Sequence, residues 1–382
     1  MHYAPHHLIV PSRFAESLLA CVVIAALGCG GEKGPAPSAT LVSADADDLC
    51  RRIDAVLKHT RDGRLLDTGV HGAWQVVHGI LAFGPDFPVA VRGGTTAALG
   101  YLLGGGGLSG WKLRPGSSGV LAIVEEGSTM GQGHPDQWLG YLSQCGVSVD
   151  GSRRAGGIPL DAPLVVGGRT FTVADLLAQA QHDIREGQEA TWTLMALAAW
   201  LPPDAVWTAG DGARWTTERV VRMEAAADIP SAACGGAHRL YALAAAVAAH
   251  CHATGDPPTG GWAEAAAVVE ASLERARRFQ QADGSFAVRP FERPGTSPDV
   301  FARLSATGHV FEVLALTLDD ERLAEPWVVR AADRLVSLME QTADLDVECG
   351  GLYHAAHGLA LYRNRVCAGT GDLGFAPRSA TP

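Results

Sequence analysis

Apolar residues recur along the chain at the spacing of α-helices. In the first such segment, Leu49, Ile53, Val56 and Leu57 fall on one helical face, which predicts a helix buried on one side. Segments of this kind alternate with segments that are apolar on every face, as expected for helices buried on both sides. The pattern therefore predicts six outer and six inner helices. The outer helices cover 48–59, 95–103, 172–184, 217–227, 262–281 and 323–341, and the inner helices cover 71–83, 134–145, 189–200, 237–252, 309–318 and 354–362.

Two short stretches between these helices have strand character instead. They span 111–124 and 164–171, and the second contains the turn Gly167-Gly168. We expect both stretches to be β-hairpins inserted into an otherwise helical domain.

A short motif recurs six times along the chain: a glycine, a polar ring or acidic side chain, and then an apolar helical run. The copies lie at 69–74, 133–137, 187–192, 234–241, 308–312 and 350–357. A spacing of roughly 45 to 70 residues is that of a helical hairpin with loops of variable length, which indicates an internal repeat. Because repeated units bury one another's apolar faces, we expect one large domain.

One segment carries a family resemblance. Residues 276–286 include Gln280, Asp283-Gly284 and Phe286, and they resemble the Q-x-x-D-G-x-W motif of the squalene cyclase and protein prenyltransferase superfamily, with Phe286 at the tryptophan position. Residues 341–351 form a weaker copy. This resemblance implies a terpenoid cyclase-like fold: an all-α, six-hairpin α/α toroid around a central cavity, here with short β-hairpin insertions. The chain is also similar to a group of bacterial secreted or lipoprotein homologues.

The beginning of the chain has the character of an export signal. Arg13 precedes the apolar run 18–27, which is too short to span a bilayer, and the run ends in Ala26-Leu27-Gly28-Cys29, which resembles a bacterial lipobox. We expect a signal peptide at 1–28, lipidation of Cys29 and a flexible tether at 29–44, with plain secretion as the alternative. The toroid domain then covers 45–365 and an extended tail covers 366–382. These features predict an exported, membrane-anchored protein that faces the periplasm or the cell exterior.

Composition and charge narrow the choice of partners. Hydrophobic residues make up 47% of the chain, with little β-branched alternation, which favours helices. The formal net charge of −11, without a basic block to offset it, argues against a nucleic-acid partner. We expect a monomer. The six cysteines after Cys29 contain no C-x-x-C pair, so their spacing declares neither disulfides nor a zinc site.

The repeats suggest how a pocket is built. Six inner helices packed about 10 Å apart in a ring leave opposite axes about 20 Å apart, with a narrow gap between the side chains. If each polar residue lies in the first turn of its helix, all six polar side chains face the same end of the ring. The positive ends of the helix dipoles also point to this end and favour a bound anion. The residue three positions later then lies one layer deeper. The resulting pairs are His71 over Trp74, His134 over Gln137, Glu189 over Trp192, His238 over Tyr241, His309 over Glu312, and His354 over His357.

Three functions follow from such a pocket. The first is acid/base catalysis on a polar, glycan-like small molecule. Its candidate catalytic residues are Glu189, Glu312, His134, His238 and His309, and its candidate ligand-binding residues are His71, Trp74, Gln137, Trp192, Tyr241, His354 and His357. Ring geometry predicts that Glu189 approaches His238 and that Glu312 approaches His357. The same side chains could instead cap their own helices or form a structural network.

The second function is zinc-dependent catalysis, and the third is ligand capture without chemistry by a lipid-anchored binding protein. Cys234 and Cys349 both precede a Gly-Gly pair, and either could bind zinc together with His238, His354 or His357. The resemblance to protein prenyltransferases implies zinc at the mouth of the toroid. The sequence alone leaves the three functions open.

Overall fold

The computed structural model describes residues 44–126, 128, 133–145 and 158–367, and this part of the chain is mostly helical. Its thirteen α-helices are α1 (Ala44–Lys58), α2 (Ala73–Phe83), α3 (Ala98–Leu103), α4 (Gln137–Gln144), α5 (Val173–Asp183), α6 (Thr191–Trp200), α7 (Thr217–Ala226), α8 (Ala237–Thr254), α9 (Gly260–Phe279), α10 (Val300–Thr317), α11 (Asp320–Leu323), α12 (Pro326–Gln341) and α13 (Cys349–Val366). Each of the twelve predicted helices corresponds to one of these, and α11 is an additional short turn of helix.

The strands are short and lie between the helices. They are β1 (Leu66–Asp67), β2 (Pro88–Val91), β3 (Gly94–Ala97), β4 (Trp111–Pro115), β5 (Val120–Val124), β6 (Pro163–Val166), β7 (Arg169–Thr172), β8 (Val206–Thr208) and β9 (Arg214–Thr216). The antiparallel pairs β4–β5 and β6–β7 confirm the two predicted hairpins. Sequence analysis missed the β8–β9 hairpin and the sheet in which β2 pairs with β1 and β3.

Six of the helices contact one another in a closed sequence. Helix α2 packs against α4, α4 against α6, α6 against α8, α8 against α10, α10 against α13, and α13 against α2. The remaining long helices contact members of this set; for example, α9 contacts α8 and α12 contacts α10. The burial follows the same division, since α6 is apolar and buried almost throughout while α12 buries one face.

Three glycines that were predicted to precede helices lie inside them: Gly308, Gly350 and Gly351. Helix α10 begins at Val300, where Asp299 caps the amide of Phe301, so Gly308 is in the middle of the helix. A Cβ at Gly308 would lie 2.9 Å from the Cα of Ala355 on α13. The glycine therefore permits close helix packing and does not start a helix. The prediction that His309 lies in a first turn is wrong for this reason, and the same holds for His354 within α13.

The segment Asp283–Phe286, which carries the family resemblance, connects three helices. The carboxylate of Asp283 accepts hydrogen bonds from the backbone and hydroxyl of Ser285. Gly284 has a φ of +89°, and a Cβ there would lie 2.4 Å from the carbonyl oxygen of Arg330. Phe286 is buried, and its amide donates to the hydroxyl of Thr307 on α10. The segment thus joins the end of α9 to α10 and α12.

A buried ion pair holds the start of α6. Glu224 of α7 accepts hydrogen bonds from the amide of Ala190 at 2.8 Å and from the hydroxyl of Thr191 at 2.6 Å. The guanidinium of Arg239 on α8 donates to the same carboxylate at 2.9 Å. Because both charges are buried and paired, the contact fixes α6, α7 and α8 relative to one another.

A disulfide joins the two ends of the described chain. Cys50 of α1 is bonded to Cys367, which directly follows α13. Helix α13 runs to Val366, so the folded body extends two residues beyond the predicted boundary at 365. The predicted signal peptide, Cys29, the tether up to residue 43 and the tail after 367 lie outside the described residues. None of the described helices is long and apolar enough to cross a membrane.

Candidate functional site

A cavity of about 150 Å³ opens where α2, α4, α8, α10 and α13 meet. Four histidines, a thiol and two aromatic rings dominate its wall. The lining residues are Trp74, His78, Tyr141, Cys234, His238, Ser305, His309, Glu348, Gly350, Gly351 and His354. Residues of the first, second, fourth, fifth and sixth sequence repeats therefore meet at this one site.

Two of these histidines are oriented by their own helices. The Nδ1 atom of His78 lies 2.6 Å from the carbonyl oxygen of Trp74, and Nδ1 of His309 lies 2.7 Å from the carbonyl oxygen of Ser305. A carbonyl oxygen only accepts, so Nδ1 carries the proton in both rings. When such a ring is neutral, Nε2 has a free lone pair, as in metal-binding histidines.

A buried carboxylate orients the third histidine. Glu312 of α10 accepts a hydrogen bond from Nδ1 of His354 at 2.9 Å and another from Nδ1 of His357 at 2.5 Å. Burial alone would raise the pKa of Glu312, but the two imidazoles hold it well below its usual range. Within the described structure, Nε2 of His354 and Nε2 of His357 are buried without a hydrogen-bond partner. The predicted approach of Glu312 to His357 is confirmed.

The imidazole rings form a tight group around His354. Its ring centroid lies 4.2 Å from that of His309, 4.7 Å from that of His238 and 5.1 Å from that of His78. Burial, followed by the proximity of the other imidazoles, lowers the pKa values of His78, His238 and His354. These three rings are therefore neutral at physiological pH.

Cys234 reaches the group through an unusual backbone turn. Cys234, Gly235 and Gly236 have φ angles of +52°, +66° and +98° in succession, directly before α8. Only glycine adopts this region without strain, so the non-glycine Cys234 is held there by its surroundings. The turn places its free thiol beside His238 in the first turn of α8 and beside His309 on α10.

The ligand atoms of Cys234, His238 and His309 all lie within 4.8 Å of one another. Although burial by itself lowers the pKa of His309, the sulfur of Cys234 and the carboxylate of Glu312 raise it to about 9. A thiol and two imidazoles that converge in this way form a donor set that zinc prefers. Nδ1 of His309 already donates to a backbone carbonyl, so its other nitrogen is the candidate ligand atom, and a metal ion would have to displace the proton that a pKa of about 9 places there.

No protein-family model, curated protein or solved structure matches this chain.

Several predicted residues come together at this cavity. Trp74, His238, His309 and His354 line it, and Glu312 and His357 lie directly behind His354. The ring of Trp192 lies 4.6 Å from His238, and the ring of Tyr241 lies 6.3 Å from His357.

The predicted contact between Glu189 and His238 is wrong. Glu189 instead accepts a hydrogen bond from His134 at 2.7 Å, and both side chains are about a quarter exposed. Helix α6 begins at Thr191, so Glu189 lies in the preceding loop and faces the neighbouring repeat. Trp192 separates this pair from the cavity, because its ring contacts those of His134 and His238.

Three other candidates are not in the cavity wall. His71 lies in a turn and accepts a hydrogen bond from the backbone amide of Asp67. Gln137 is buried and donates to the hydroxyl of Tyr141. Cys349 packs against the hydrophobic core, and burial raises the pKa of its thiol to about 12. Of the two cysteines that precede Gly-Gly, only Cys234 joins the histidines.

Sequence analysis missed four lining residues: His78, Tyr141, Ser305 and Glu348. His78 lies four residues after the predicted site residue Trp74, and Tyr141 lies four residues after the predicted site residue Gln137. Residues four apart share a helical face. Ser305 lies four residues before His309 for the same reason. Helical periodicity within each repeat could have found these three, but Glu348 lies in a loop before α13.

Proposed function

We propose that the chain is a metal-dependent enzyme whose zinc ion is held by Cys234, His238 and His309. The convergence of these three ligand atoms at a cavity is the observation that carries the proposal. Catalytic zinc sites have three protein ligands and a fourth position that is open to water or substrate. A zinc ion bound there would supply a Lewis acid and lower the pKa of a bound water to about 7.

His354 is the residue best placed to move a proton in this reaction. Its Nδ1 proton is committed to Glu312, so Nε2 is the accepting atom, and that atom is buried in the cavity wall without a partner among the described residues. Glu312 holds the ring in this tautomer, as the carboxylate partners of catalytic histidines do. We propose that the polar groups of a glycan-like substrate contact these side chains.

The proposed scaffold is an α/α toroid. The contacts that run from α2 through α4, α6, α8, α10 and α13 back to α2 support an inner ring of six helices. The Asp283–Phe286 segment supports the same assignment, because it connects one helical hairpin to the next, as a motif repeated in every hairpin would.

We also propose that the protein is exported and anchored through Cys29. The disulfide between Cys50 and Cys367 supports an oxidising compartment, where such bonds persist. Replacing Cys29 with serine should move the protein from the detergent-extracted membrane fraction to the soluble fraction. An unchanged distribution would refute the anchor.

A second candidate function is thiol catalysis without a metal. The observation that favours it is the pairing of Cys234 with His309, whose pKa the sulfur of Cys234 helps to raise to about 9. A thiol beside an imidazole is the arrangement of cysteine nucleophiles. In that case the purified protein would bind no zinc, and Cys234 would react with iodoacetamide far faster than Cys145 or Cys349.

The metal proposal is tested by the metal content of matched variants. Protein purified with zinc should hold about one equivalent per chain by plasma mass spectrometry, and cobalt substitution should give the absorption bands of tetrahedral thiolate ligation. Cys234→Ser and His309→Gln should each lose the metal. Cys349→Ser removes a free thiol that also precedes Gly-Gly, and it should keep the metal. The proposal is wrong if the wild type binds no zinc. It is also wrong if Cys234→Ser and Cys349→Ser contain equal amounts of zinc.

A further inference from the structure

The charges around the cavity are not those of an anion site. Within the described structure its wall contains no lysine or arginine, and its one carboxylate belongs to Glu348, which is exposed at the mouth. An anionic substrate would therefore find no lysine or arginine at this position, and the one imidazole with a raised pKa, His309, already lies near the sulfur of Cys234 and the carboxylate of Glu312. The helix dipoles had suggested the opposite preference.

The start of α13 explains why its dipole does not create an anion site. The amide of Gly350 donates to Oε1 of Glu348 at 2.7 Å, and the amide of Gly351 donates to Oε2 at 2.8 Å. These are the amides that would otherwise bind an anion at a helix N-terminus. Because Glu348 already occupies them, this end of the helix presents a negative charge to the cavity.

An aromatic ring lies beside the same carboxylate. A Cβ built on Gly350 would lie 2.6 Å from Cη2 of Trp74 and 2.8 Å from Oε1 of Glu348, so both side chains lie against this one glycine. Tyr141 adds a second, buried ring to the wall. A carboxylate next to aromatic rings is the combination that recognises ammonium groups, through a charge-assisted hydrogen bond and cation–π attraction.

From this arrangement we infer that the cavity binds the primary ammonium group of its substrate, with Glu348 as the counter-ion and Trp74 as the adjoining wall. The inference deepens the proposed function and rests on it. A cavity of about 150 Å³ is smaller than the pockets that enclose drug-sized ligands, so only a small group enters. The substrate class is thus a polar molecule that carries a primary amine close to the bond that reacts, and the remainder of the molecule stays outside.

Paired ligands test the inference. Glucosamine and glycinamide carry the ammonium group, while N-acetylglucosamine and N-acetylglycinamide are their neutral counterparts. Binding of each is measured by calorimetry to the wild type, in zinc-loaded and in metal-free form. We expect each amine to bind about tenfold more tightly than its acetylated counterpart, a difference of about 1.4 kcal/mol, because only the amine forms a charge-assisted hydrogen bond to Glu348. A preference for one amine over the other identifies which part of the substrate class fits.

Three variants separate binding from folding. Glu348→Gln should abolish the preference for the amine, whereas Glu348→Asp keeps both the charge and the ability to cap α13 and should retain it. Glu274→Gln removes an equal charge from an exposed position on α9 and should change nothing. Melting temperatures show whether each variant is folded.

The two proposals can fail separately. Equal affinity for amines and acetylated ligands, or a preference that survives in folded Glu348→Gln, would overturn the ammonium site even if zinc is bound. A preference for amines in protein that never binds zinc would support the ammonium site and refute the metal centre.

Discussion

Replacing Asp136 with asparagine should stabilise the protein at neutral pH. Asp136 lies before α4 with a φ of +56°, a region in which asparagine and aspartate are tolerated alike. Its carboxylate accepts a hydrogen bond from the hydroxyl of Thr193 at 2.5 Å, which an asparagine oxygen can also accept. Burial raises the pKa of this carboxyl group from 3.8 to about 6.

The sign and size of the effect follow from this pKa. An acid whose pKa is higher in the folded state than in the unfolded state favours folding in its protonated form. The stability of the wild type is therefore undiminished below about pH 3.8 and falls as the pH rises to about 6. At 1.36 kcal/mol per pKa unit, the loss is at most about 3 kcal/mol, because the side chain keeps some contact with solvent. Asparagine does not ionise and avoids this loss.

Urea unfolding at about pH 4 and about pH 7.5 tests the reasoning. Asp136→Asn should gain stability over the wild type at the higher pH and match it at the lower pH. Asp86→Asn replaces an exposed aspartate and should show no such difference. A variant of Asp136 that is less stable than the wild type at neutral pH, or shifted equally at both pH values, would refute the burial argument.

Three further changes test the scaffold. Cys50→Ser breaks the disulfide to Cys367 and should lower the free energy of unfolding by about 4 to 5 kcal/mol, since the bond closes a very long loop; urea unfolding measures the loss, and a variant as stable as the wild type would contradict this. Gly308→Ala sets a methyl group against Ala355, and calorimetry should show a loss of about 1 to 3 kcal/mol. Glu312→Gln leaves one buried imidazole N–H without its acceptor and should lower the free energy of unfolding in urea by about 1 to 3 kcal/mol; a variant as stable as the wild type would refute the role of these hydrogen bonds.

Much of the secondary structure could be predicted because its causes are local. Apolar spacing marked every one of the twelve expected helices, and Gly167-Gly168 marked a hairpin that the structure confirms. The first residue of a helix was harder to predict than the helix itself. A glycine reads as a helix breaker from sequence, but Gly308 lies inside α10 because α13 approaches too closely for a side chain.

The candidate site was predicted only in part. The repeat pattern singled out His238, His309 and His354, because inward-facing polar residues stand out on apolar helices. It also paired Glu312 with His357 correctly, since both lie on helices whose faces are set by their apolar residues. It paired Glu189 wrongly, because a residue in a loop has no helical face that fixes its direction.

The sequence by itself determined which segments are helical, where two of the hairpins lie, and which polar residues interrupt the apolar helices. These depend on residues a few positions apart, whose relation the helix itself sets. Tertiary structure alone decided that Cys234, and not Cys349, meets the histidines, that Glu348 caps α13 at the cavity mouth, and that Cys50 reaches Cys367. Each of these contacts depends on how a turn or a helix end is aimed, and that direction is fixed by packing between segments far apart in the chain.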